Sequence, residues 1–131
     1  MSQWKFNDFE TDVDFTDADF IERIEEAQEL LRKDVSELPK AGKNSELIRA
    51  QNACYENFFD RIFGQGASAE MFRTASLSER LDAAESLKAF ETRQEDSFRD
   101  RMNGYTVKHR GNRSQRREFE KNARNKGRGN R

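Results

Sequence analysis

From Phe9 to Phe15 the chain alternates strictly, with Phe9, Thr11, Val13 and Phe15 on one side and Glu10, Asp12 and Asp14 on the other. A period of two belongs to a strand with one buried face. Trp4-Lys5-Phe6 repeats the alternation ahead of Asn7-Asp8, residue types that favour a turn. A short strand or small hairpin is expected. Such a hairpin is marginal in water alone, so it must dock on other elements or on another chain.

After Thr16 the period changes. Phe20, Ile24, Ala27, Leu31, Val35 and Leu38 step by three or four, which predicts a helix over residues 17–37 with one apolar face. Thr16 and Asp19 form a capping-box-like pair at its start, and Pro39 and Gly42 end it. A second helix, residues 45–63, opens at Ser45 and turns Leu47, Ile48, Gln51, Cys54, Tyr55, Phe58, Phe59, Ile62 and Phe63 inward. Gly64 is placed to stop it. Residues 65–74 predict a short turn or one-turn helix carrying Met71 and Phe72 inward.

Ser76 with Glu79 reads as a second capping box. It leads into Leu77, Leu81, Ala84, Leu87, Phe90, Phe98 and Met102, a third helix over residues 77–103 that ends at Gly104. The apolar face thins after Phe90, because residues 92–96 are polar. The last two turns therefore lack anchorage unless a partner covers them.

The expected class is mainly α: a three-helix small domain over residues 1–104 with a short N-terminal β-strand or hairpin, then a basic, disordered C-terminal tail over residues 105–131. Only 34% of the residues are apolar, against about 45–50% in typical globular chains by a count that includes Gly. A small core is still within reach, because 10 of the 11 Phe lie within residues 6–98. The single Cys54 excludes an intramolecular disulfide and fits a reducing compartment. No apolar run approaches the roughly 18 residues of a membrane span. The N-terminus also lacks the basic start and apolar stretch of a secretory signal. A cytosolic protein is expected.

Charge sharpens this outline. Residues 1–40 carry 12 acids and 5 bases, residues 41–104 carry 11 and 9, and residues 105–131 carry 2 and 10. The overall charge of −1 conceals an acidic head and a basic tail. Like-charged blocks at chain ends commonly serve as interaction tails.

Enzyme chemistry finds little footing. The carboxylates Asp8, Glu10, Asp12, Asp14, Asp17 and Asp19 suggest calcium, but a loop of the EF-hand type starting at Asp8 would need Gly where Val13 stands and Glu where Asp19 stands. Gly64-Gln65-Gly66 follows a helix and lacks the Lys of a phosphate loop, so it reads as a helix stop. Cys54 has no nearby His, and His109 alone cannot hold zinc. No catalytic, cofactor or metal residue is expected. The candidate partner-binding residues are Arg113, Arg116, Arg117, Lys121 and Arg124, which fall on overlapping faces if the tail is helical. They could meet an acidic protein surface. Alternatively they could bind phosphates, as in a small nucleic-acid-associated regulator or packaging factor.

The order of the segments resembles a family of small proteins from phages and prophages of Gram-positive bacteria, encoded in the tail module. An acidic strand is followed by Asp14-Phe15-Thr16-Asp17-Ala18-Asp19 and the helix Ile21-Glu22-Arg23-Ile24-Glu25-Glu26-Ala27. A middle helix ends in Phe58-Phe59-Asp60-Arg61-Ile62-Phe63-Gly64-Gln65-Gly66, and Ala69-Glu70-Met71-Phe72 follows. The tail opens with Asn112-Arg113-Ser114-Gln115-Arg116-Arg117. Arg73-Thr74-Ala75 departs from the Gly-rich turn expected after Phe72. Members resemble tail assembly chaperones. The resemblance implies a non-enzymatic role in the host cytoplasm, coating the tape-measure protein and bringing tail-tube subunits to it. Bipolar charge adds an expectation of homo-oligomers, acidic head meeting basic tail.

Overall fold

A computed structural model describes residues 3–110, with side chains for residues 3–105. Its elements are β1 (Gln3–Phe6), β2 (Phe9–Asp12), α1 (Ala18–Ser36), α2 (Asn44–Phe63), α3 (Ala67–Met71) and α4 (Leu77–Arg110). The described chain is mainly helical with an N-terminal antiparallel hairpin. It divides into two compact units, Met1–Glu95 and Asp96–Arg131.

In the first unit Phe6 pairs with Phe9 across the turn and Gln3 with Asp12 at the open end. Asn7 takes a left-handed conformation, φ 54°, which its short polar side chain tolerates. Its amide then donates to the Met71 carbonyl at 2.6 Å, tying the turn to the end of α3. β2 stops at Asp12, yet Val13 and Phe15 continue inward beyond it. Trp4 stacks on Phe63 at 5.4 Å and on Phe59 at 6.4 Å, so the hairpin docks on α2. Its indole N–H donates to Ser86 Oγ on α4. Phe59, Ile62 and Met71 are the largest fully buried side chains. Gly64 (φ 108°) caps α2 and Gly66 (φ 93°) opens α3, two conformations that favour glycine.

Several local expectations change. Asp17 caps α1, accepting from the Asp19 N–H, while Asp14 takes the N–H and hydroxyl of Thr16. That hydroxyl, more than the N–H, holds the Asp14 carboxyl below its ordinary value. Ser45 does not cap α2, which starts at Asn44 after Lys43. Gly104 does not end α4. One Gly costs a helix only about 1 kcal/mol relative to Ala, and no proline follows it.

The buried ridge of α4 also differs from the expected one. It runs Arg80, Ala83, Leu87 and Phe90, with half-buried Gln94 at its end, leaving Leu81 exposed. Asn52 donates to the Ala75 carbonyl at 2.8 Å, so α4 enters beside the middle of α2. The turns of α2 before Asn52, with the end of α1 beside them, gain no third layer. Val35 and Ile48 accordingly stay exposed. Gln94 closes the ridge by donating to the Val13 carbonyl and accepting from the Phe15 N–H.

Candidate partner-binding surface

Two features of α4 stand out: a polar brace at its start and an exposed apolar stripe in its last part. The brace is built by neighbours. Arg80, 7% exposed, forms a 2.7 Å ion pair with Glu56 on α2 and donates to the carbonyls of Thr74 and Ser76. Its guanidinium also lies 4.4 Å over the Phe72 ring. Glu79 turns back onto the preceding loop, where it accepts from the N–H groups of Arg73 and Thr74, the Thr74 hydroxyl and the Asn7 amide. The expected capping box with Ser76 is thus replaced, since the Ser76 N–H donates to Thr74 Oγ1. Arg73-Thr74-Ala75 is the loop that Glu79 organises.

Burial pushes the Glu79 carboxyl up, but the donors from Thr74, Arg73 and Asn7 outweigh it and hold it below its ordinary value of 4.5. A carboxyl lowered in the fold contributes stability that is complete above its unfolded value and lost as pH falls through the folded one. Melting scans should therefore show the wild type losing stability below about pH 4.5 more steeply than Glu79→Gln. Parallel acid limbs for the two proteins would remove Glu79 from this role.

The stripe lies in the unit Asp96–Arg131. Phe98, Met102 and Tyr105 are 40%, 48% and 61% exposed. Steps of four and three residues place them on one side of the helix. Arg99 and Arg101 flank that side, whereas Asp96 and Asp100 fall on the reverse by the 3.6-residue period. Arg99 pairs with Asp96 at 3.2 Å where both are exposed, an interaction of little energetic weight. Single exposed apolar side chains are ordinary, but three at consecutive helical steps form a ridge of the kind helices use for recognition. Phe98 and Met102, which the periodicity places on the inner face of the third helix, are instead among its exposed large apolar side chains.

Arg113, Arg116, Arg117, Lys121 and Arg124 lie outside the described residues. Among the described residues no group of three or more His, Cys, Asp or Glu is placed to hold a metal ion. No described helix is long and apolar enough to cross a membrane. Cys54 is buried, and that burial, with Asp34 adding to it, pushes its thiol up and away from the reactive thiolate. The sequence reading missed Arg80 and Gln94, because charged and amide side chains do not register in an apolar periodicity. Their signal is the spacing itself, since they continue the Ala83, Leu87, Phe90 ridge at either end.

One family model, described as a family of unknown function (DUF6673), matches residues 7–120. No curated protein matches, and no solved structure does.

Proposed function

The chain belongs to the DUF6673 family, and we propose that it is a non-catalytic protein-binding module that acts as a tail assembly chaperone-like protein. In this reading it holds the tape-measure protein in the bacterial host cytoplasm and assists assembly of tail-tube subunits around it, working as a homo-oligomer. The observation that carries the reading is the exposed ridge of Phe98 and Met102, extended by Tyr105, on a helix whose described outer face is largely charged and polar. A holding protein needs apolar surface for its client and charge to stay dispersed, and α4 combines them. The resemblance to the phage tail-module family supports the tape-measure protein as the client class.

The resemblance implies a tape-measure gene nearby, and co-expression with that neighbour tests this directly. The neighbour should become soluble and elute with the protein on gel filtration. Phe98→Ala with Met102→Ala should cut the co-eluting fraction at least about tenfold. A neighbour equally soluble alone, or one that never co-elutes, would refute the chaperone reading. The basic block at residues 105–131 offers a separate outcome. Nucleic-acid binding with a steep salt slope, lost when Arg113, Arg116 and Arg117 become Ala, would assign the chain to packaging or regulation instead.

A further inference from the structure

The ridge on α4 is more selective than an apolar stripe alone, because from Phe98 onward the charges beside it are basic, while Glu95, one turn earlier on the same side, is the acid at its N-terminal end. Within residues 96–105 the bases are Arg99 and Arg101, one on each side of Phe98 and Met102. The carboxylates of the same segment, Asp96 and Asp100, lie on the reverse side. Both arginines are exposed, so either can meet a group laid along the ridge. The sequence then adds Lys108 and Arg110, with 10 bases against 2 acids over residues 105–131. An incoming helix with lysines beside its apolar ridge would meet like charge on both sides. One with carboxylates beside its ridge would meet opposite charge on both sides beyond Glu95. In helix pairing, charges flanking the apolar seam select the partner.

We propose that the partner of this surface is an amphipathic helix whose apolar ridge is bordered by Glu or Asp. The ridge of Phe98 and Met102 supplies the contact, and Arg99 and Arg101 supply the choice. This rests on the protein-binding reading and adds the chemistry of what is bound. A second copy of the chain is a poorer match for the same site. Its own α4 ridge carries arginines, and its acidic helix α1 exposes only Leu30 and Val35 as large apolar side chains.

The test uses the full chain and two synthetic helical peptides of about 20 residues. They share one apolar ridge and differ only in flanking Glu or Lys. Fluorescence anisotropy should show the Glu peptide binding about five- to tenfold tighter at low salt. That preference should collapse between about 0.05 and 0.5 M salt as charges are screened. Arg99→Glu with Arg101→Glu should invert it, while Phe98→Ala with Met102→Ala should weaken both peptides. All four positions are exposed and helical, so unchanged far-UV circular dichroism confirms intact variants. Equal binding of the two peptides, or a preference the arginine pair does not move, overturns the proposal. So does a dimer in sedimentation velocity that the Phe98 and Met102 change dissolves, because the occupant would then be a second copy. Failure of the tape-measure co-expression with the peptide preference intact would refute the named client and leave the recognition chemistry standing.

Discussion

Phe59→Ala is expected to lower the unfolding free energy by about 3–5 kcal/mol, the range for truncating a fully buried Phe. Phe59 is 0% exposed and lies between four other rings. Its centroid is 5.2 Å from Phe58, 5.8 Å from Phe72, 6.4 Å from Trp4 and 6.5 Å from Phe63. Truncation would leave a cavity under the hairpin, and Trp4 would lose part of its seat. Urea unfolding followed by Trp4 fluorescence, the chain's single Trp, would read both effects. Phe98→Ala is the control: that ring is exposed, and its loss should cost under about 1 kcal/mol. Equal effects at the two positions would mean that the core is misplaced.

Arg80→Met should cost about 3 kcal/mol. Removing one member of a buried pair costs about 3–5 kcal/mol, because the partner is left without its counter-charge. Glu56, whose side chain is 35% exposed, recovers some hydration and draws the figure to the lower end. Arg80 also serves the Thr74 and Ser76 carbonyls, which join α3 to α4, so the loop should loosen as well. Adding Glu56→Gln should restore part of the loss, since the uncompensated charge is then gone. If Arg80→Met unfolds at the same urea concentration as the wild type, the brace contributes nothing.

The fold class was legible because three signals agree along this chain. Alternation at Phe9–Phe15 marks the strand that follows the Asn7-Asp8 turn, three- and four-residue steps mark α1 and α2, and Gly64 stops α2. What was not legible concerns the sides of helices. Leu81 is apolar and exposed, whereas Arg80 beside it is charged and buried, because Glu56 and two loop carbonyls await it. Periodicity cannot rank those neighbours; only the tertiary partner can. The caps failed for a related reason. Asp14 captures the Thr16 hydroxyl, and Glu79 prefers the Arg73 and Thr74 N–H groups to that of Ser76, choices made by the loop and not by local spacing. The polar run at residues 92–96 follows Phe90, the last buried apolar residue of the α4 ridge, but Gln94 within it clasps the backbone after β2. Of the candidate surface, the sequence supplied Phe98 and Met102 as apolar positions with little to anchor them. Their exposure came from the structure.

Hydrogen exchange on the full chain, free and with the tape-measure-like client bound, addresses the recognition claim most directly. The amides of residues 96–105 should exchange more slowly in the complex, by about tenfold or more, while the buried amides of α2 around Phe59 change little. Protection confined to α1 and the hairpin, or no change in residues 96–105 when the client is bound, would contradict the assignment of the Phe98–Met102 ridge as the binding surface.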